Sequence, residues 1–348
     1  MTMPLLQVED LHTSFQTPRG IARAVDGVSF SLEPGKTLAL VGESGSGKSV
    51  TALSVLQLVA EPAGAIESGR VLFEGNDLLD YTWEQMRRIR GRDISMIFQE
   101  PMTSLNPTFT IGWQLIEAIT IHNVTPKSEA RQRAIDLLGR VGLENPDGAL
   151  RQYPHELSGG MRQRVMIAIA LANSPKVLIA DEPTTALDVT VQAQILVLIR
   201  KLQKETGMAV LLITHDLGIV AEMADNVAVM YAGQIVESAS TRDLFQSPKH
   251  PYTQGLFASL PGRARRGHDL ATLEGTVPAA TAWPPACRFE PRCPHRFAAC
   301  AVIPPRYLSI PLSPAEPTAD RTVRCHLYDP EITEHQKSVA PLAKETSL

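Results

Sequence analysis

The chain of 348 residues lacks the features that mark membrane-spanning, secreted and nucleic-acid-binding proteins. No apolar run approaches the roughly 18 residues that a membrane span requires. The N-terminus lacks the basic and then apolar layout of a secretion leader, so we expect a cytoplasmic chain. The formal net charge of −4 provides no broad attraction for nucleic acid or anionic lipid, and we expect no nucleic-acid partner.

Cysteine is scarce and unevenly placed. All four cysteines lie between Cys287 and Cys325. Proline is skewed in the same direction, with 12 of 26 residues in positions 1–250 and 14 in the last 98. This shift in composition predicts a domain boundary: residues 1–248 form a strand- and helix-rich domain, and residues 249–348 form a loop-rich C-terminal extension.

What the chain does contain is a glycine-rich loop, G-E-S-G-S-G-K-S, at positions 42–49. Its glycines let consecutive backbone N–H groups turn toward an anion. Lys48 adds a mobile positive charge for the β- and γ-phosphates of a nucleotide, and Ser49 offers a hydroxyl to Mg²⁺. The alternative is a Gly/Ser turn with an incidental lysine. An apolar strand pattern at 37–41 and a helix pattern at 50–59 favour the phosphate-binding loop instead.

Other segments alternate between strand and helix patterns, which predicts a mainly parallel α/β sheet. The predicted strands are 5–8, 24–32, 70–74, 94–98, 177–180, 209–213 and 227–230, and the predicted helices are 83–90, 128–142, 158–172 and 190–206.

Two carboxylates follow the buried strand pattern at 177–180. Asp181 is placed to reach the Mg²⁺ shell, and Glu182 to orient or deprotonate a water that attacks the γ-phosphate. Such a pair on its own more often caps a helix or faces solvent. The phosphate-binding loop elsewhere in the chain favours the catalytic interpretation.

The turn Ser158-Gly159-Gly160 opens a predicted helix and forms a second candidate anion site, with free N–H groups at the positive end of a helix dipole. The simpler interpretation is an ordinary helix that Ser158 caps. Two chains arranged head to tail can enclose one ATP between the phosphate-binding loop of one and the Ser158 turn of the other.

At this point the chain resembles the ATP-binding subunits of ABC transporters, over about residues 5–245. The resemblance implies a P-loop ABC ATPase fold in the α/β class, with a RecA-like core, an antiparallel β-subdomain and an α-helical subdomain at about 84–160. It covers the loop at 42–49, the glutamine of the Q-loop, the signature turn, Asp181-Glu182, the D-loop at 186–188 and a switch histidine.

The resemblance also implies roles for single residues. Glu182, His215 and Gln99 are expected to be catalytic, and Ser49, Gln99 and Asp181 to hold Mg²⁺. Without the resemblance, Gln99 and His215 are ordinary polar residues at strand ends, and Phe15, expected to stack on adenine, is a core residue. The expected ATP-binding residues are Phe15, Gly42, Ser44, Gly45, Ser46, Gly47, Lys48, Ser49, Val50, Ser158, Gly159, Gly160 and Asp188.

The C-terminal extension narrows the resemblance to dipeptide and oligopeptide importers. The segment 249–254 and the Pro- and Cys-rich region after it are typical of that group, as is the segment 100–107. The alternatives are an importer ATPase for nickel, glutathione or another small solute, and a soluble ABC ATPase of DNA repair or translation. A redox sensor or electron carrier using the cysteines is a further class.

An importer subunit implies partners and a location. We expect two transmembrane permease subunits, a second ABC ATPase subunit that is a different paralogous chain, and an extracytoplasmic peptide-binding protein. The chain is then expected to lie peripherally on the cytoplasmic face of the membrane.

The four cysteines have the spacing of a candidate metal site: Cys287, Cys293, Cys300 and Cys325. Thiolates bind iron–sulfur clusters or Zn²⁺, and the absence of a C-x₂-C knuckle disfavours zinc. The resemblance implies a [4Fe–4S] cluster, while Zn²⁺, two disulfides or free thiols remain the alternatives. Because these cysteines are expected to lie in a separate domain from residues 42–49, their loss is expected to leave ATP affinity nearly unchanged.

Overall fold

The computed structural model describes residues 3–99, 104–185, 187–259, 273–311 and 321–332. In this part of the chain, two β-sheets pack against the helices. The smaller sheet is antiparallel, has the strand order β2-β1-β4-β5, and packs one face against the apolar core beneath the phosphate-binding loop. Its strands are β1 (Leu6–Thr17), β2 (Gly20–Leu32), β4 (Gly64–Phe73) and β5 (Asn76–Asp77).

The larger sheet has eight strands in the order β11-β12-β10-β9-β3-β8-β7-β6. The five strands from β9 to β6 are parallel, and β10, β12 and β11 add an antiparallel edge. Its strands are β3 (Thr37–Val41), β6 (Ile94–Ile97), β7 (Val177–Asp181), β8 (Ala209–Thr214), β9 (Asn226–Tyr231), β10 (Gln234–Ser240), β11 (Tyr307–Ser309) and β12 (Thr322–Arg324).

The helices cover the parallel part of the larger sheet and form an α-helical subdomain, in which α3, α4 and α6 share one apolar core. None of the helices in the described ranges is long and apolar enough to cross a membrane. The helices are α1 (Lys48–Val55), α2 (Trp83–Ile89), α3 (Ile111–Thr120), α4 (Lys127–Arg140), α5 (Pro146–Ala149), α6 (Gly159–Ala170), α7 (Val189–Thr206), α8 (Leu217–Met223), α9 (Thr241–Gln246), α10 (Pro251–Ala258) and α11 (Ala298–Val302).

The predicted alternation of strands and helices is confirmed, and so is the mainly parallel sheet. Strands β3, β7 and β8 are buried along their whole length, as continuous apolar runs predict for a sheet covered on both faces. The sequence patterns missed α3, α5 and the helices α8 to α11, and they missed β5 and the antiparallel edge formed by β10, β11 and β12. Two strands of that edge, β11 and β12, come from the C-terminal extension, so the extension continues the main sheet.

Candidate functional site

The loop at 42–49 connects β3 to α1 and lies against the end of β9. A side chain at Gly42 would place its Cβ 2.1 Å from the carbonyl oxygen of Met230. At Gly47, which has a φ of 104°, the Cβ would lie 2.2 Å from the carbonyl oxygen of Ala24. Only glycine fits this close backbone approach, so neighbouring strands fix the curvature of the loop.

Lys48 is buried inside this loop. Its ammonium donates to the carbonyl oxygens of Gly42 at 2.9 Å and of Glu43 at 3.0 Å. Burial lowers the pKa of Lys48, although the carboxylates of Glu182 and Asp181 act in the opposite direction. Among the described residues, the ammonium hydrogen-bonds to loop carbonyls alone, so it is well placed to exchange them for phosphate oxygens.

Ser49 and Asp181 meet across the site. The Ser49 hydroxyl donates to Oδ1 of Asp181 at 3.1 Å. Burial raises the pKa of Asp181, and the hydrogen bond from Ser49 opposes that shift. A hydroxyl and a carboxylate side by side are hard oxygen ligands, the type that Mg²⁺ prefers.

Glu182 is the point where the polar side chains of the site converge. The Gln99 amide donates to Oε2 of Glu182 at 3.1 Å, and the Thr185 hydroxyl donates to the same oxygen at 2.9 Å. Nδ1 of His215 lies 3.1 Å from Oε1. Burial raises the pKa of Glu182, but the hydrogen bonds from His215 and Thr185 outweigh it and hold the pKa below its ordinary value.

The Ser158 turn caps α6 as predicted, because its hydroxyl accepts from the N–H of Met161 at 3.3 Å. The two glycines that follow face the start of α7 rather than the phosphate-binding loop. A Cβ at Gly160 would lie 2.9 Å from Val191. Asp188 caps α7 by accepting from the N–H of the same Val191 at 2.9 Å. The turn that Ser158 begins therefore packs against the start of α7, which Asp188 caps.

The remaining predicted ATP-binding residues surround the loop. Phe15 in β1 is half-buried and pairs with Gly64 of β4. Ser44 and Gly45 are exposed at the tip of the loop, and Val50 lies in the first turn of α1. The Ser46 hydroxyl is buried with no hydrogen-bond partner among the described residues.

Some sequence predictions concern positions outside the described residues, namely 100–103 after Gln99 and 186 in the D-loop. The structure adds residues that sequence reasoning missed. Thr185 binds Glu182, and the buried amide of Gln163 donates to the carbonyl oxygen of Pro183, which ties α6 to the turn after β7. Thr185 lies three residues from Glu182, a spacing that could have indicated its contact.

The four cysteines are free; Cys300 is buried, and Cys287, Cys293 and Cys325 are half-buried. The backbone N–H of Cys287 donates to the carbonyl oxygen of Cys300 at 3.0 Å. Burial raises the pKa of Cys287 and Cys325 to about 12, and the neighbouring cysteines add to both shifts. Within the described ranges, however, no three His, Cys, Asp or Glu side chains are grouped so that they could hold a metal ion.

Comparison with known families matches both halves of the chain. Residues 25–185 match the family described as ABC transporter. Residues 236–300 match the family described as the C-terminal region of oligopeptide/dipeptide transporters.

Individual proteins similar to this chain belong to the same two groups, ABC transporters and peptide transporters. The chain is 51% identical over 94% of its length to the oligopeptide transport ATP-binding protein AppD of Bacillus subtilis, of which it covers 98%. It is also 51% identical over 85% of its length to the dipeptide transport ATP-binding protein DppD of the same species, covering 88% of it. The dimeric bacterial ABC transporter cassette MJ0796 superposes with a TM-score of 0.61 at 27% identity, over 68% of this chain and 99% of that one.

Proposed function

Because this chain belongs to the ABC transporter family of ATP-binding proteins, we propose that it is the ATP-hydrolysing subunit of an importer of dipeptides and oligopeptides. The observation that carries the proposal is the convergence of Gln99, Thr185 and His215 on the Glu182 carboxylate, beside the loop that holds Lys48. A carboxylate held by three side chains next to a phosphate-binding loop is suited to hydrolysis of a phosphoanhydride.

Each residue then has a role in phosphoryl transfer. Lys48 leaves the loop carbonyls and binds the β- and γ-phosphates. Glu182 orients the attacking water and accepts its proton, while His215 and Gln99 fix the carboxylate and sense the γ-phosphate. The lowered pKa of Glu182 keeps its carboxylate ionised and able to accept a hydrogen bond from the attacking water. Phe15 stacks on adenine.

Ser49, Asp181 and Gln99 would hold Mg²⁺, which neutralises charge that develops on the phosphates. The Ser49–Asp181 hydrogen bond supports this choice, because it brings a hydroxyl and a carboxylate to one place. The Ser49 hydroxyl and the carboxylate of Asp181 are then positioned before the nucleotide arrives.

The Ser158 turn is proposed to act on ATP bound to a second ATPase subunit. A Cβ at Gly159 would contact Leu187 and one at Gly160 would contact Val191, so neither glycine lies against the phosphate-binding loop of the same chain. We therefore expect Ser158→Arg to block closure of two subunits on ATP while the isolated chain still binds nucleotide. Gel filtration with ATP and equilibrium nucleotide binding test this, and loss of binding by the monomer would contradict it.

The proposed assembly contains two transmembrane permease subunits, a second ABC ATPase subunit that is a different paralogous chain, and an extracytoplasmic peptide-binding protein. The chain would lie peripherally on the cytoplasmic face of the membrane. The peptide class is supported by the match of residues 236–300 and by the peptide-transport relatives, which favour it over nickel, glutathione or a soluble ABC ATPase.

The hydrolytic role is tested with the chain assembled with its partners. Glu182→Gln should retain ATP binding and lower the rate of phosphate release by about 10²–10⁴-fold, because the base is lost. Lys48→Ala should instead weaken ATP binding itself. Hydrolysis by Glu182→Gln at the wild-type rate would show that another group is the base. Peptide-stimulated hydrolysis in the reconstituted transporter, without stimulation by nickel, tests the substrate class.

We also propose that the cysteines bind one [4Fe–4S] cluster. The backbone hydrogen bond from Cys287 to Cys300 supports it, as does the packing of these two residues in one apolar cluster. The absence of a C-x₂-C knuckle disfavours Zn²⁺. A cubane cluster binds each thiolate to a different iron and so tolerates more widely spaced ligands. When bound, the cluster would fold the extension around itself.

Metal content tests this proposal directly. Anaerobically purified protein should be brown and contain about four irons per chain. Cys300→Ser should lower the iron content and make the extension more sensitive to protease. Colourless protein with stoichiometric zinc would contradict the cluster and support a Zn²⁺ site instead. Protein without any metal would contradict both proposals.

A further inference from the structure

Glu43, the second residue of the phosphate-binding loop, is held by two side chains from the C-terminal extension. The Glu43 backbone N–H donates to the Tyr252 hydroxyl at 2.9 Å. The Glu43 carboxylate accepts from Nη1 of Arg292 at 3.1 and 3.2 Å. These contacts join the loop to α10 and to the cysteine-rich segment, although the sequence predicted that the two regions are separate.

Arg292 is held rigidly enough to act as a fixed charge. Its side chain is only 5% exposed. The guanidinium also donates to the carbonyl oxygen of Glu274 at 2.9 Å and to the Tyr231 hydroxyl at 3.4 Å. The rings of Tyr231 and Phe289 lie 5.7 and 6.0 Å from its central carbon. A buried guanidinium with this many partners loses little further freedom when it pairs with a carboxylate.

The pairing matters for the loop because of where Glu43 lies. The carbonyl oxygen of Glu43 accepts a hydrogen bond from the Lys48 ammonium. The contacts of Glu43 with Tyr252 and Arg292 therefore fix the backbone that holds Lys48 in place. The Glu43 carboxylate is 30% exposed beside a loop that binds polyphosphate. An uncompensated negative charge there repels the nucleotide, and Arg292 neutralises that charge.

The same segment carries two of the cysteines. Arg292 immediately precedes Cys293 in a short 3₁₀ turn, and Arg288 immediately follows Cys287. Arg288 donates to the Asp26 carboxylate and to the carbonyl oxygen of Ala232, at the end of β9. The segment 287–293 therefore contacts the nucleotide-binding region at two points, and each contacting arginine is the direct neighbour of a cysteine.

We propose that Arg292 is a positioning residue for ATP binding: it neutralises Glu43 and holds the phosphate-binding loop in place. The affinity for nucleotide then depends on how well ordered the segment that contains Cys287 and Cys293 is. The inference rests on the proposed ATPase function and extends it, because it makes the extension part of the nucleotide site. It reverses the sequence-based expectation that changes in the extension leave ATP affinity unchanged.

The test is a set of full-length variants titrated with a fluorescent ATP analogue. Arg292→Gln should weaken binding about tenfold, because it leaves the charge of Glu43 unpaired beside the loop, where the 30% exposure of that carboxylate lets solvent screen part of the repulsion. Glu43→Gln in the same chain should restore most of the affinity, because the repulsive charge is then gone. Arg292→Lys should bind nearly as the wild type does.

Arg306→Gln is the matched control. Arg306 lies in the same extension, but its ion pairs to Asp329 and Glu331 stay within it. This variant should bind the analogue as the wild type does, whereas a general loosening of the extension would affect both arginine variants.

The binding measurements distinguish failure of the inference about Arg292 from failure of the proposed ATPase function. Wild-type affinity in Arg292→Gln would overturn the inference, and so would a loss that Glu43→Gln fails to restore, since it would reflect damaged folding alone. A wild-type chain that binds no ATP analogue would overturn the proposed ATPase function itself, so the two failures are distinguishable.

Discussion

The nucleotide-binding body and the C-terminal extension are stabilised in different ways. The body buries two large aliphatic clusters on the two sides of the parallel strands. The apolar cluster that belongs to the extension itself contains four buried side chains: Phe297, Ala299, Cys300 and Ile332. The body thus has a core of its own, while the extension needs other contacts to stay folded.

Those other contacts include buried aromatic side chains of the extension, Tyr252, Phe257 and Phe289, which share an apolar cluster with the body, and arginines that pair with carboxylates of the body. Arg288 pairs with Asp26 and Arg292 with Glu43. Arg321 pairs with Glu237 at 2.7 Å, where the two side chains are 2% and 0% exposed. A buried charge is stable only when it is paired, so the extension should respond strongly to the loss of a single charge, whereas the body responds to the loss of apolar volume.

The largest effect should follow from the buried ion pair. Arg321→Met leaves Glu237 buried without its charged partner, which typically costs about 3–5 kcal/mol. Because Arg321 directly precedes β12, which pairs with β10, the extension should become protease-sensitive while the body stays folded. Limited proteolysis with mass spectrometry measures this. An extension that resists protease as well as in the wild type would show that the two regions are not stabilised differently.

A change in the core of the body should have a different signature. Leu211 in β8 is fully buried, and Leu211→Ala should lower the free energy of unfolding by about 2–5 kcal/mol. The whole chain should then melt earlier, with body and extension unfolding together, in denaturant titrations followed by circular dichroism. Val197→Ala on the exposed face of α7 is the control and should change little. Selective release of the extension by Leu211→Ala would contradict the comparison.

The smallest effect concerns the junction between the regions. His250 begins α10, is 2% exposed, and packs its ring against Phe289. Its Nδ1 accepts from the N–H of Tyr252, and its own N–H donates to Glu237. Burial lowers the pKa of His250 from 6.5 to about 3.

The sign of the pH effect follows from that depressed pKa. The folded chain keeps His250 neutral, whereas the unfolded chain takes up a proton below pH 6.5, so this contribution to stability is lost as the pH falls. The loss is at most about 1.4 kcal/mol per pH unit. Melting temperatures measured from pH 7.5 downward should fall less steeply for His250→Asn, which keeps an acceptor for Tyr252. Parallel curves would show that other groups cause the acid sensitivity.

Local features of the fold were predictable from neighbouring residues. The loop at 42–49 and the Ser158 cap depend on a few adjacent positions, and the structure confirms their local geometry. The convergence of Gln99 and His215 on Glu182 was not predictable from spacing, because it depends on three parallel strands ending at one edge. Their roles came from the resemblance alone.

The sequence by itself determined the phosphate-binding loop, the carboxylates after β7, most strands, the helices α1, α2, α4, α6 and α7, and the clustering of cysteine in the extension. Only the tertiary structure decided that the extension joins the main sheet and that Arg292 pairs with Glu43, 249 positions away in the chain. The physical reason is that backbone propensity and apolar period act over a few residues. An ion pair depends instead on which strands lie side by side and on what surrounds the two charges.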